Sequence, residues 1–209
     1  LFRSEGTVRV SELSELCGVS ENTIRRDLME LEDNGFCYRT KGGAGLLKWG
    51  QGGVAFTQRL ERNRDSKRAI ARRAAEEVQN GQTIILDSGT TALELAFELK
   101  SRSHITIITP SLEAANILSG IPDITLILPG GIVHEHSRSL TGSPAEDFFS
   151  HIHANTLFLA VKAVSLESGF MDHTIPETAV KRKMLKAAER VVVLADHTKL
   201  GKTALSRLA

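Results

Sequence analysis

The sequence has little cysteine, no long apolar run and almost no net charge. Its two cysteines, Cys17 and Cys37, cannot staple a chain of 209 residues. A disulfide scaffold is therefore excluded, and a reduced, cytoplasmic protein is expected. Apolar stretches such as 83–86, 105–108 and 191–195 are far too short to cross a bilayer as helices. No secretory apolar segment opens the chain. The net charge of +1 by itself announces no nucleic-acid partner. Internal repeats and low-complexity tracts are also missing. Apolar residues, by contrast, make up 41% of the chain, enough for a sizeable core and too many for a disordered polymer. The chain begins at Leu1 rather than Met and stops at Ala209 after an apolar segment, which leads us to expect truncated termini.

The charge is unevenly placed. Residues 1–48 hold seven basic and eight acidic side chains, and residues 49–80 hold seven and four. Residues 81–209 hold twelve and thirteen. The first segment is thus slightly acidic, yet its basic residues bunch at Arg25–Arg26 and at 39–48. Phosphate contact needs one basic face, not a basic domain.

Residues 11–35 read as two short helices. Ser11 is a candidate N-cap, with Val10, Leu13 and Leu16 as apolar anchors. Gly18 ends the first helix in a tight turn. Ser20 caps the second, whose apolar positions Ile24, Leu28 and Leu31 recur at i, i+4 and i+7; Gly35 closes it. Residues 36–41 read as a strand running into Gly42–Gly43 and back as a hairpin. Residues 44–56, rich in glycine, read as linker. A helix is expected over 64–80, with Ile70, Ala71, Ala74, Ala75 and Val78 on one face. Strands are then expected at 83–87, 105–109, 124–128, 156–161 and 191–195, and helices at 91–100, 111–118, 144–150 and 176–189. Short apolar strands separated by helices imply an α/β domain with a mostly parallel, doubly wound sheet.

A helix, a glycine turn and a second amphipathic helix form a helix-turn-helix candidate. With Ile24, Leu28 and Leu31 inward, Asn22, Thr23, Arg25 and Arg26 fall on the outer or leading side, where a recognition helix meets DNA. Arg39 and Lys41 lie on the hairpin, as a wing requires. An ordinary helical hairpin with a solvated arginine pair fits the same spacing. The string 19–28 (VSENTIRRDL), followed by Leu31-Glu32, Gly35, Arg39 and Gly42-Gly43-Ala44, resembles the winged helix-turn-helix of the DeoR family of bacterial transcriptional regulators. The family usually has a further helix before this point. The resemblance implies Thr23, Arg25 and Arg26 as DNA contacts; with the positions on the leading turn and the hairpin, the expected DNA-binding set is Ser20, Asn22, Thr23, Arg25, Arg26, Arg39 and Lys41.

In the second half, Asp87 ends a strand, and Ser88-Gly89-Thr90-Thr91 follows at the mouth of a helix. Outward backbone N–H groups, hydroxyls and the helix dipole make such a loop an anion site. The crevice beyond the carboxyl ends of strands is where open α/β sheets take ligands. Neither a Walker loop nor a dinucleotide fingerprint is present, and helix capping alone would use the same residues. Three more segments resemble the effector domain of the same family. They are Pro129-Gly130-Gly131, the run Glu177-x-x-Val180-Lys181-Arg182-x-Met184, and Ala195-Asp196-x-x-Lys199-x-Gly201. The resemblance implies a fold like that of ribose-phosphate isomerases and the sensing of phosphorylated sugars. It gives Ser88, Gly89, Thr90 and Thr91 as the phosphate loop, with Asp87, Gly130 and Gly131 beside it. Lys181 becomes a cation for the ligand, and Glu177 an acceptor from sugar hydroxyls. Where the family usually has Gly-Ala-Asp-Gly, this chain has Ala160-Val161-Lys162-Ala163. An ammonium can only donate where a carboxylate would accept, so the expectation at Lys162 is either a different, more anionic effector or a site that responds poorly.

The sequence calls for no cofactor. His134-x-His136 and His151-x-His153 lack the cysteine or carboxylate partners of a metal site. Cys17 reads as a small buried hydrophobe, and Trp49 as a packing residue. The expected organisation is a winged helix-turn-helix at 1–48, a linker at 49–60 and an α/β sensing domain at 61–209. The expected function is a repressor of a sugar or carbohydrate operon. Its partners would be operator DNA, a small phosphorylated metabolite and further copies of the chain as a homodimer or homotetramer. Alternatives are a sugar-phosphate isomerase-like enzyme, or a constitutive DNA-binding protein whose α/β domain only oligomerises.

Overall fold

The computed structural model describes residues 7–33, 37–46 and 56–209, with the backbone alone for residues 30, 33, 38, 46, 57 and 58. Gly35, Phe36 and Trp49, singled out above, lie outside the described residues. The chain divides into two compact units, Leu1–Gln58 and Arg59–Ala209.

The first unit runs β1 (Thr7–Arg9), α1 (Val10–Cys17), α2 (Glu21–Asp33), β2 (Cys37–Thr40) and β3 (Gly43–Leu46). Its strands form one antiparallel sheet in the order β1-β3-β2. Helix α1 starts one residue before Ser11, and Ser11 does not cap it. The cap is Arg9, whose backbone N–H donates to the Glu12 carboxylate at 3.3 Å, half of a capping box. Gly18 takes the left-handed conformation (φ 65°) that ends α1. The Ser20 hydroxyl accepts from Thr23 N at 3.2 Å and opens α2. Val10, Ile24, Leu28, Cys37 and Ala44 form the core, with Leu13 against it. Leu16 and Leu31 do not join it: they are 60% and 42% exposed. Three short strands leave room for one apolar turn per helix, and Cys37 and Ala44 fill the rest. Cys17, expected to be a small buried hydrophobe, is exposed; the buried cysteine is Cys37. Residues 44–46 belong to the wing rather than to a linker. A Cβ at Gly43 would come within 2.1 Å of the Val8 carbonyl oxygen, so only glycine lets β3 lie this close to β1.

The second unit begins within α3 (Phe56–Glu61), a helix inside the segment read as linker, and continues with α4 (Arg64–Ala75). It then alternates β4 (Thr83–Leu86), α5 (Thr90–Leu99), β5 (Ile105–Ile108), α6 (Leu112–Leu118) and β6 (Ile124–Ile127). A hairpin follows, β7 (Ile132–His134) and β8 (Ser139–Thr141), and then α7 (Ser143–Ser150) and β9 (Ala154–Ala160). The chain continues through β10 (Ala163–Ser165), β11 (Gly169–Asp172), α8 (Ile175–Ala187) and β12 (Ala188–Leu194) to β13 (Ser206–Arg207). Five strands make a parallel sheet in the order β12-β9-β4-β5-β6. Ile84, Ile85 and Leu86 are all buried, as expected of a parallel strand covered on both faces. Ile85, Ile108, Leu157 and Leu159 pack with Phe149 of α7 and with Val180 and Met184 of α8. The alternate residues Ile84, Leu86, Ile107 and Phe158 lie on the opposite face and are buried too, as are Ala71, Ala74, Leu95 and Leu99 of α4 and α5. Helix α4 ends at Ala75, short of the expected 80, in a turn tightened by Glu77 N→Ala74 O and Val78 N→Ala75 O bonds. From β4 the chain builds outward through β5 and β6, then crosses back to place β9 on the other flank of β4. That reversal opens a crevice between the carboxyl ends of β4 and β9. No helix among the described residues is long and apolar enough to cross a membrane.

Candidate functional site

On the first unit, the leading turn of α2 presents Ser20, Asn22, Thr23, Arg25 and Arg26 to solvent. The hydroxyls of Ser20 and Thr23 sit 2.9 Å apart. Arg25 is held by Glu21 at 2.6 Å and by Asn22 Oδ1 at 3.3 Å. Such an exposed pair contributes at most about 1 kcal/mol and is readily exchanged for a phosphate. Arg26 has no hydrogen bond or ion pair among the described residues. On the wing, Arg39 is half-buried and its backbone N–H donates to the Glu32 carboxylate at 2.7 Å. Lys41 is exposed in the β2–β3 turn. The unit therefore offers two arginines on a helix and two basic residues on a hairpin, the contacts that a duplex backbone and groove accept.

On the second unit, the site is built at the crevice between β4 and β9. Asp87 follows β4 and is 1% exposed. Its Oδ1 accepts from Ser88 N at 2.7 Å and its Oδ2 from Ala160 N at 2.9 Å, which ties the end of β4 to the end of β9. Gly89 (φ 112°) caps α5, a conformation costly for a residue with a Cβ. Leu93 N is the first amide of the helix to reach a carbonyl, that of Gly89 at 2.9 Å. Among the described residues no acceptor takes the preceding N–H groups of the helix or the Thr90 and Thr91 hydroxyls, and such helix-opening donors suit an anion.

Lys181, from α8, is buried beneath this loop. Its ammonium donates to Asp172 Oδ2 at 2.6 Å and to the Ala160 carbonyl at 2.7 Å, and lies 3.0 Å from Asp87 Oδ2. All three N–H groups are thereby used, so Lys181 is not the free cation for a ligand that the resemblance implied. It is the brace that joins β4, β9 and β11. Burial opposes the charge of Lys181, but Asp172 and Asp87 hold it above the ordinary lysine range. Burial likewise opposes the charge on Asp172, yet Lys181 and Lys162 hold its carboxyl below its usual value. For Asp87 burial dominates and pushes the carboxyl up.

Glu177 also differs from expectation. It is the third residue of α8, where its N–H donates to the Thr174 hydroxyl at 3.3 Å and its Oε2 accepts from that hydroxyl at 2.8 Å. His134 Nδ1 lies 3.8 Å from the same carboxylate oxygen. Gly131 (φ 144°) answers to packing, since a Cβ there would lie 2.6 Å from the Thr141 carbonyl oxygen; Gly130 is exposed. Lys162 follows β9 and is half-buried, among Arg59, Asp172, Glu177 and Lys199. Burial, then Arg59, lowers it to about 7. The sequence reading missed Asp172 and Arg59, and it took His136 only as a metal-ligand candidate. Asp172 ends a strand too short to show periodicity. Arg59 lay in the presumed linker. His134 and His136, weighed only as metal ligands, stand edge to face with ring centroids 6.0 Å apart. Among the described residues no group of three His, Cys, Asp or Glu could hold a metal ion.

The fold defines a protein with a helix-turn-helix unit and an α/β unit built on a parallel sheet. Comparison with known proteins gives the family. Residues 1–49 match the DeoR-like helix-turn-helix domain and residues 62–209 the DeoR C terminal sensor domain; the chain belongs to the DeoR family of transcriptional regulators. It is 42% identical over 201 residues to the HTH-type transcriptional regulator GolR of Listeria innocua, covering 96% of this chain and 79% of that one. It is 31% identical over 205 residues to the Glycerol-3-phosphate regulon repressor of Escherichia coli K12, covering 98% and 81%. Among solved structures, ribose 5-phosphate isomerase from Methanocaldococcus jannaschii aligns with TM-score 0.49 at 22% identity, covering 66% of this chain and 55% of that one.

Proposed function

We propose that the chain is a cytoplasmic repressor of a carbohydrate operon that a small phosphorylated metabolite releases from DNA. The observation that carries the reading is the loop 88–91. Free amides and hydroxyls stand at the first turn of α5, at the switch point of the sheet, over a floor braced by Lys181. The phosphate is held by backbone donors of residues 89–91, by the Thr90 and Thr91 hydroxyls and by the positive end of the helix. A relative named for glycerol 3-phosphate supports the same ligand class. On the DNA side, Arg26 and Arg25 take phosphate or base edges, Ser20, Asn22 and Thr23 support them, and Arg39 and Lys41 grip the backbone from the wing. The crevice binds rather than catalyses. The carboxylates that meet in its floor, Asp87 and Asp172, are committed to Lys181, and a proton-abstracting step needs a base free to act. The protein assembles as an even-numbered homo-oligomer, since two-fold operators are read by paired half-sites; light scattering that returns the mass of one chain would contradict this.

A thermal-shift screen against phosphorylated sugars and sugar acids tests the ligand. A binder at about a hundred times its Kd stabilises by about 2.7 kcal/mol. Thr90→Ala with Thr91→Ala should abolish that shift while leaving the unliganded melting temperature nearly unchanged. A full shift in the double variant would remove the loop from the site.

A further inference from the structure

We propose that Lys162 and Arg59, with His136 at their edge, form a second anion subsite in the sensor crevice, so that the effector carries a carboxylate or a second phosphate at the end away from the phosphate loop. The inference rests on the reading of residues 88–91 as the phosphate loop and specifies what the rest of the ligand must be.

Lys162 is fixed but has nothing to hold. Its backbone N–H donates to Met171 O at 3.1 Å, and two residues earlier the Ala160 carbonyl is bound by Lys181. Its ammonium has no hydrogen bond or ion pair among the described residues, although the side chain is half-buried. A desolvated charge without a partner is a costly arrangement that an arriving anion relieves.

The carboxylates nearby are committed elsewhere. Asp87 and Asp172 serve Lys181 and backbone amides. Glu177 is occupied by Thr174, and Asp196 accepts from Thr198 N at 2.8 Å. Asp172 and Glu177 favour the charge of Lys162, but among the described residues none of these carboxylates makes a hydrogen bond or ion pair with it.

Arg59 and His136 meet at the same place. Arg59 donates to the His136 carbonyl at 2.6 Å, and its own carbonyl is bound by Lys67 Nζ, which clamps α3 to α4. His136 Nε2 is buried with no hydrogen-bond partner among the described residues. Arg59 feels Glu177 and Asp172, and Lys162 feels those two together with Arg59, so the two cations share one neighbourhood. Burial lowers both, and Arg59 depresses Lys162 further. A planar guanidinium beside an ammonium matches the two oxygens of a carboxylate or a phosphate.

Isothermal titration calorimetry of the full chain decides the matter. The probes are matched sets of phosphorylated sugars with three to six carbons, each set containing a neutral-ended monophosphate, the corresponding phosphorylated sugar acid and the bisphosphate. A doubly anionic member should bind at least about tenfold tighter than its neutral-ended partner. The carboxylate and bisphosphate arms identify which second anion is taken. Lys162→Met and Arg59→Gln should each collapse that preference, and Lys162→Arg should retain it. If Arg59→Gln fails to fold, the Lys162 pair of variants decides alone. Equal affinity for neutral-ended and doubly anionic members, or a preference that survives Lys162→Met, overturns the subsite and leaves the phosphate loop standing. Failure of every phosphorylated compound to bind overturns both.

Discussion

One ammonium, that of Lys181, accepts the company of two buried carboxylates and a carbonyl, all within 3.0 Å. Replacing such a brace removes one partner of a buried pair and leaves the rest uncompensated. Lys181→Met should therefore cost about 3–5 kcal/mol, seen as a lowered denaturation midpoint with or without ligand. A loss of ligand response at unchanged stability would show instead that Lys181 contacts the ligand. Lys162 makes the opposite case. Its folded value near 7, against an ordinary 10.5, means that the unfolded chain binds more protons between those values. Stability then rises with pH across that window, and below it the slope from this group vanishes. Lys67, lowered to about 8 mainly by burial, adds to the slope in the same sense. The comparison with Lys162→Met isolates one lysine. The wild type should gain stability from pH 7 to 9 relative to the variant, and the variant should be the more stable at pH 7. Parallel pH profiles would contradict the assignment.

Among the elements, α2 carries the DNA-binding claim. Its inner face rests on Ile24 and Leu28, and its outer face presents Arg25 and Arg26, so their removal should leave the fold intact. Arg25→Ala and Arg26→Ala should each weaken operator binding. Removing an arginine that binds phosphate lowers the salt slope by about one for every sequence alike. Removing one that reads a base costs about 1–3 kcal/mol and relaxes one position. Gel-shift titrations at two salt concentrations separate the two, and unchanged affinity in both variants would refute the recognition-helix reading. The same elements show what was legible in the sequence. The inner strands β4, β5 and β9 are readable because burial on both faces makes them continuous apolar runs, the more exposed edge strands β6 and β12 through their short apolar stretches, and Gly18 and Ser20 because their backbone chemistry is local. Leu16 and Leu31 misled because periodicity marks a face but not how much core exists to cover it. The β7–β8 hairpin and β10, β11 and β13 are two to four residues long, below any period. Asp87 and the loop 88–91 are legible as residues that follow a strand and open a helix. The Lys181–Asp172 bond and the Arg59–His136 contact join residues set side by side only by the fold, and no spacing announces them.

At the scale of the whole molecule, the proposed function makes two units answer to one ligand: the operator is held by the first and released when the second binds a phosphorylated metabolite. Release requires the ligand to bind the DNA-free form more tightly, and reciprocity requires operator DNA to weaken ligand binding by the same factor. The measurement that tests this most directly is fluorescence anisotropy of labelled operator DNA with the full chain, titrated with a metabolite found by the thermal-shift screen. The wild type should leave the operator as ligand rises, with a coupling of about 1–3 kcal/mol, and the Thr90→Ala, Thr91→Ala double variant should stay bound at every ligand concentration. Operator affinity that does not change when the wild type is saturated with a ligand it binds would contradict the proposal.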